Sequence, residues 1–324
     1  MSKEEYKRQH YIPVCYLKNF SENGKFVYVY NKNTSAKPYP CSVENIFNKE
    51  YFYKIPIELI PYDFIKGFDP LWIERTFFRD NIESQYADFL KELVFLVDDI
   101  INSGEDINQY KIPIDYKIKL ATYTIIQYFR TPEARNAVLD FINRIETTLR
   151  PIDRFLKDEN GESMFQFLSE SKKNHHPVMA HFAVLFLNPK LIGDIAEAMS
   201  KNIWQLYVTK DNFYYTSDQP IMIENFSETS DNKFSNLNLY GNVLTFPLSR
   251  KIVAKMYDRE FFSKYEQSDR GCIYANNDFV TAHNVKMYLW AKEYVVSYSD
   301  EFSIVKHCIE TLGKEYSVKH EIIL

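Results

Sequence analysis

Glycine is scarce, at 8 of 324 residues. Dinucleotide-binding turns and P-loops need glycine at fixed offsets so that the backbone can close on phosphate, and neither pattern occurs here. The usual nucleotide-cradling loops are therefore excluded. No two cysteines form a C-x-x-C pair. Cys15, Cys41, Cys272 and Cys308 lie far apart, which removes the common zinc and thiol-redox signatures and leaves four free thiols as the expectation. No run approaches the roughly 20 apolar residues a membrane span needs, and MSKEEYKRQHY contains no apolar signal core. A cytoplasmic location without membrane association is expected. Positive charge is not in excess either: 39 Lys and Arg face 44 Asp and Glu, a net charge of -5. That is the wrong sign for coating long nucleic acid, although a local basic cleft stays open.

Aromatic residues are plentiful, with 25 Tyr and 25 Phe. Such a chain can fill a large core, and 324 residues suffice for a single large domain over 1–324. Periodicity divides it into a docked N-terminal segment with short strands over 1–68, a helical core over 69–200, and mixed sheet and helices over 201–324. In the first region GKFVYVYNK and NKEYFYKIP read as strands, with AKPYP as the turn between them. A long amphipathic helix is predicted from Asp69, a second from about Asp115 to Arg130, a restart at Thr131-Pro132, and another after 175–177. WQLYVT, NFYYTS, PIMIE, VLTFPL and KIVAKMY read as an antiparallel sheet. Helices at about 276–290 and 300–312 flank EYVVSYS. The fold class is α+β, a helical region packed with a mostly antiparallel sheet built from N- and C-terminal strands.

Two helices carry charge where core is expected. At about 100° per residue, Arg75, Arg79 and Glu83 share an arc with Ile82, Tyr86, Phe89 and Leu93. Either the first turns emerge into solvent with ordinary i,i+4 pairs, or a polar cavity caps the core, with arginines able to hold phosphate or carboxylate. The next helix is apolar on two faces, so Gln127 and Arg130, neighbours on one of them, need buried partners. Glu83 is the first choice for Arg130 and Asp218 the second.

RQHYIPVCYLKNF, near the start, places His10, Tyr11, Ile12, Tyr16, Leu17 and Phe20 where chains are usually polar and frayed, so this end is expected to dock. Gln9-His10-Tyr11-Ile12-Pro13 followed by Tyr16-Leu17-Lys18-Asn19-Phe20 resembles the N-terminal signature of the bacterial domain-of-unknown-function family 4238. The resemblance runs on through the spaced Glu74 and Glu83, Gln127-x-x-Arg130-Thr131-Pro132, Thr216-Ser217-Asp218-x-Pro220 and Phe246-Pro247-Leu248-Ser249. It implies no particular activity and points to His10, Glu83, Gln127, Arg130, Ser217 and Asp218. Val14-Cys15 and Gln219 depart from the usual pattern.

Ser217 and Asp218 before Pro220 read first as turn residues; otherwise Asp218 could orient His10 or bind a cation. His10 is either a packed, hydrogen-bonded ring or a proton-transfer group. His176 and His181, five apart, do not share a helix face for a metal, and His175 is no better placed. An Arg-x(4–6)-His ribonuclease pattern is absent. Two functions follow. In the first, a phosphodiester- or nucleotide-directed hydrolase, nuclease-like and defence-related, uses His10 as acid or base, with Glu83, Gln127 and Asp218 in the catalytic group. Arg79, Arg130 and Ser217 bind substrate: RNA, single-stranded nucleic acid or a nucleotide. Glu83 or Asp218 fixes the histidine or a divalent metal. In the second, a non-catalytic sensor or scaffold, the same polar motifs only hold the N-terminal segment against the helices.

Overall fold

The computed structural model describes residues 7–34, 37–60, 66–149, 178, 189–227 and 240–312. Strand β1 (Arg8–His10) opens the chain and a short helix α1 (Val14–Leu17) follows it. Tyr11, Ile12, Tyr16, Leu17 and Phe20 are all buried, so the N-terminal stretch is core and not a tail. β2 (Phe26–Asn31) alternates as predicted. AKPYP, in contrast, is not simply a turn: Tyr39 and Pro40 begin β3 (Tyr39–Ser42). β3 lies at a sheet edge, where proline's missing N–H costs no ladder bond. The strand expected over NKEYFYKIP is only β4 (Asn48–Glu50), paired antiparallel with β1. Tyr51, at a φ of 52°, ends it, because a left-handed residue cannot continue a strand.

Helical structure begins later and differently than expected. The Asp69 carboxylate accepts from Leu71 N at 3.0 Å and holds Arg75 at 3.1 Å, one turn ahead of the helix. Ile73–Glu83 is a π-helix, and α2 (Ser84–Ser103) continues it to Gly104, whose φ of 74° closes the helix. The π-winding resolves the charge anomaly. With i→i+5 bonds and about 4.4 residues per turn, Ile73, Phe78 and Ile82 gather on one side. Arg75 and Arg79 rotate away from that side and are exposed, contrary to the arc drawn at the α-helical angle. Glu74 and Glu83 would oppose each other on an α-helix, nine residues being two and a half turns. On the π-helix they share a face.

α3 (Ile114–Arg130) is the two-faced central helix, with Leu120, Ala121, Ile125, Gln127 and Arg130 buried. Thr131 Oγ1 accepts from Ala134 N at 3.2 Å and caps α4 (Pro132–Leu149). The helix predicted after 177 lies outside the described residues except for Val178, and His175, His176 and His181 lie outside them too. α5 (Pro189–Lys201) precedes β5 (Ile203–Val208). NFYYTS contributes only β6 (Thr216–Ser217), because Tyr214 N and Tyr215 N bond to Arg250 O and Asn284 Oδ1 instead of a ladder. Then come β7 (Met222–Asn225), β8 (Asn242–Ser249), β9 (Ile252–Tyr257), β10 (Cys272–Tyr274), α6 (Asn277–Trp290), β11 (Tyr294–Ser297) and α7 (Ser303–Leu312).

The strands form a five-stranded sheet ordered β10-β5-β9-β8-β7 and a four-stranded one ordered β3-β2-β11-β6, beside the β1-β4 pair. Only β10 with β5 is parallel, and the fold is α+β. N- and C-terminal strands meet in the four-stranded sheet, where β11 pairs with β2 from Tyr294↔Asn31 to Ser297↔Tyr28. One apolar cluster joins Phe20, Val29, Phe89, Leu93, Ile125, Trp204, Phe246 and Val296, drawing on all three sequence regions. Each such side chain contributes about 1.5–3 kcal/mol by burial. No helix among the described residues is long and apolar enough to cross a membrane.

Candidate functional site around Arg130

The N-terminal segment is the hub where the sequence motifs meet. Tyr16 OH bonds Thr216 Oγ1 and donates to Pro247 O, each at 2.7 Å, and its ring stacks on Phe246 at 5.5 Å. Gln127 Nε2 donates to Tyr11 O at 3.2 Å, and Arg130 Nη2 donates to His10 O at 2.7 Å. Gln9, fully buried, accepts from Tyr53 N, while Tyr53 OH donates to Arg130 O at 3.0 Å. Four stretches far apart in the chain are thereby tied to residues 9–16.

Arg130 lies at the centre, 1% exposed, with Nη2 also 2.7 Å from Glu83 Oε1. Its guanidinium sits 4.1 Å over the Phe78 ring, a cation–π contact that offsets part of its desolvation. Burial opposes the charge, but Glu83, Tyr53 and Glu74 outweigh it and hold the pKa above the ordinary value. Arg130 Nε and Nη1, Gln127 Oε1, Tyr86 OH and Glu74 Oε2 are all buried and find no hydrogen-bond partner among the described residues. Native cores rarely leave such atoms unpaired, and here they cluster about one cation. Burial pushes the Glu74 carboxyl up to about 7, against the pull of Arg130.

The rim is more open. Glu83 is 24% exposed, and His10 and Cys15 are half-buried. His10 Nε2 lies 3.1 Å from Glu44 O. Burial lowers the His10 pKa, with Glu83 and Arg130 close enough for their charges to act on the ring, so the imidazole is neutral at pH 7. Burial pushes the Cys15 thiol up to about 12, which leaves it unreactive. The arrangement offers a neutral imidazole, an ion-paired carboxylate and a carboxyl that titrates near neutrality.

His10, Glu83, Gln127 and Arg130 come together; Asp218 and Ser217 do not join them, and Arg79 reaches the site only through its charge on Glu74. The buried Asp218 carboxylate accepts from Lys292 N, Glu293 N and Tyr294 N at 3.0, 2.7 and 3.1 Å, anchoring the start of β11. Burial, then the charge of Glu133, pushes its pKa up to about 7 against those three donors. Ser217 Oγ accepts from Gln219 N at 3.1 Å, a local turn. Arg79 is exposed on the π-helix. Sequence reasoning left Glu74 and Tyr86 out of the site. The nine-residue spacing of Glu74 and Glu83, together with arginines falling on a core arc, was the available signal for π-winding. Among the described residues no three His, Cys, Asp or Glu side chains gather as metal ligands.

Fold and site together define an α+β protein whose N-terminal segment is pinned over a buried arginine–glutamate centre. A family model described as protein of unknown function (DUF4238) matches residues 8–301, from β1 to the approach to α7, and the chain belongs to that family. No curated protein and no solved structure matches it.

Proposed function

We propose that this chain is a hydrolase acting on phosphodiesters or nucleotides, in which His10 and Glu83 meet the substrate. The observation that carries the reading is that the partly exposed His10 and Glu83 stand over buried polar atoms of Arg130, Glu74 and Gln127. When His10 Nε2–H donates to Glu44 O, Nδ1 is left as the acceptor, able to take a proton from water as that water's oxygen attacks phosphorus, the scissile P–O bond breaks and the departing alkoxide recovers a proton from the imidazolium or from solvent. Glu83 orients the water. Arg130, too buried to touch substrate, is a positioning residue that holds Glu83. Among the described residues no three metal ligands gather at the site, and no step is routed through a metal here.

A second reading, a scaffold without catalysis, is supported by the bonds from Arg130 and Gln127 to the His10 and Tyr11 carbonyls, which fasten the N-terminal segment. The two readings separate on one experiment. Hydrolysis of bis(p-nitrophenyl) phosphate, ATP and short RNA is measured for wild type, His10→Asn and Glu83→Gln, alongside melting temperature. The hydrolase reading expects losses of about a hundredfold or more in His10→Asn at unchanged melting temperature, with the acid limb of the pH profile abolished. A wild type inert on all three substrates, or variants as active as wild type, would overturn it in favour of the scaffold.

A further inference from the structure

A cavity of about 510 Å³ is lined by Lys18, Lys25, Phe26, Ser42 and Glu44, among others, one residue away from His10 through Glu44. Its size falls in the range of small-ligand sites. Glu44 joins it to the site above, since Glu44 lines this hollow and its carbonyl lies 3.1 Å from His10 Nε2. Phe26 points to the outer face of β2 and is 52% exposed, while its neighbours Val27 and Val29 are fully buried on the other face. The loop that carries it is held in place beforehand. Asn23 Oδ1 accepts from Lys25 N at 2.9 Å and Phe26 N at 3.3 Å, Ser21 Oγ donates to Phe26 O at 2.5 Å, and Val43 N donates to Lys25 O at 3.0 Å. Gly24 turns the chain at a φ of 70°, with open space where a Cβ would stand.

Two ammonium groups and an exposed ring in one pre-organised hollow match a nucleotide unit, an aromatic base joined to a phosphate. Lysine recognises phosphate as a point charge, and a Phe face stacks any base. We infer that this cavity binds a nucleotide unit, its base on Phe26 and its phosphate between Lys18 and Lys25, so that the phosphoester is presented to His10. The inference rests on the hydrolase reading for its last step only. Glu44, the acidic side chain of the lining, offers an acceptor to a ribose hydroxyl or an exocyclic amine. A free nucleotide and single-stranded nucleic acid share this chemistry.

The test titrates mant-labelled AMP and fluorescein-labelled hexathymidylate into the full chain at two salt concentrations. Saturable binding of at least one probe is expected, weakened about tenfold or more by Phe26→Ala. The double variant Lys18→Ala/Lys25→Ala should bind still more weakly and with a flatter salt dependence. All three side chains are exposed, so melting temperatures should not move. Preference for mant-AMP assigns the free nucleotide, and preference for hexathymidylate assigns the single strand. Failure of both probes to bind, or equal binding by the variants, overturns the inference. So does pyrophosphate competing as well as AMP while Phe26→Ala is neutral, since that marks a plain anion site. Binding without any hydrolysis sinks the hydrolase reading alone. Hydrolysis with an unchanged KM in the Phe26, Lys18 and Lys25 triple variant sinks the cavity alone.

Discussion

Among the described residues, the charged centres around Asp269 and Arg130 are built on opposite plans. Around Asp269 everything is paired. Lys117, 3% exposed, reaches Asp269 Oδ2 at 2.7 Å, Arg259 Nη2 reaches the same oxygen at 2.6 Å, and Trp204 N donates to Oδ1 at 2.9 Å. Arg259 Nη1 continues to Glu266 at 2.7 Å. Around Arg130, by contrast, one nitrogen carries both the Glu83 and His10 bonds while Nε and Nη1 go without partners among the described residues. A fully satisfied network is a staple, here between α3, β5 and the segment before β10. A partly satisfied one costs stability, and that cost distinguishes a working site from a fastening.

The contrast is broken first by removing the shared acid. Asp269→Ala strands the buried Lys117 and takes from Arg259 one of its two carboxylates, and should cost about 3–5 kcal/mol, read as a shift in denaturant midpoint at constant slope. A loss below about 1 kcal/mol would mean that this network is no staple.

The Arg130 centre should respond less, and asymmetrically. Glu83→Ala leaves a buried guanidinium without its carboxylate and should cost about 2–3 kcal/mol. Arg130→Met leaves only a partly exposed Glu83, free to rehydrate, and should cost about 1 kcal/mol while relieving the unpaired N–H groups. Equal costs in the two variants would contradict the asymmetry.

A pH-dependent effect distinguishes the centres by sign. Glu74 has its pKa raised from 4.5 to about 7 by burial, so the folded state holds a proton that the unfolded chain has released. Its contribution to stability is present below pH 4.5 and lost as pH rises to about 7. Asp269 works the other way: burial raises its pKa, but Lys117, Trp204 N and Arg259 outweigh it and bring it below 3.8, so its contribution is present above that pH and lost as pH falls. Glu74→Gln should therefore gain, on the order of 1–2 kcal/mol, relative to wild type between pH 5 and 8. Parallel stability curves over that range would remove Glu74 from the buried centre. Asp218 shifts in the same direction as Glu74, so the difference between wild type and variant, not the wild-type curve, is the quantity to read.

How far the site was legible depends on the residue. The two apolar faces of α3 were visible as periodicity, and from them followed the need of Arg130 for a carboxylate, which the 2.7 Å pair with Glu83 meets. Asp218 was the second choice of partner. Nothing in the residue order shows that its oxygens are taken up by three backbone N–H groups leading into β11, some seventy residues later. Tyr39 and Pro40 looked like a turn because proline's cost in a strand depends on whether the strand is an edge, which is a property of the sheet. Glu74, noted only as one of two spaced glutamates, stayed out of the site because a winding of 3.6 residues per turn was applied to a stretch that does not follow it.

Local chemistry, carried by the sequence alone, determined the α+β class, the strong alternation of β2, the cap at Thr131 and the burial of the N-terminal aromatics. Propensity, capping and apolar period act over a few residues and need no partner to be read. Tertiary structure decided which acid meets Arg130, that the π-helix turns Glu74 inward and the arginines outward, and that His10 faces Glu44 beside a hollow carrying two lysines. These are long-range pairings, and the desolvation that gives them their energy exists only once distant segments have closed over the same few atoms.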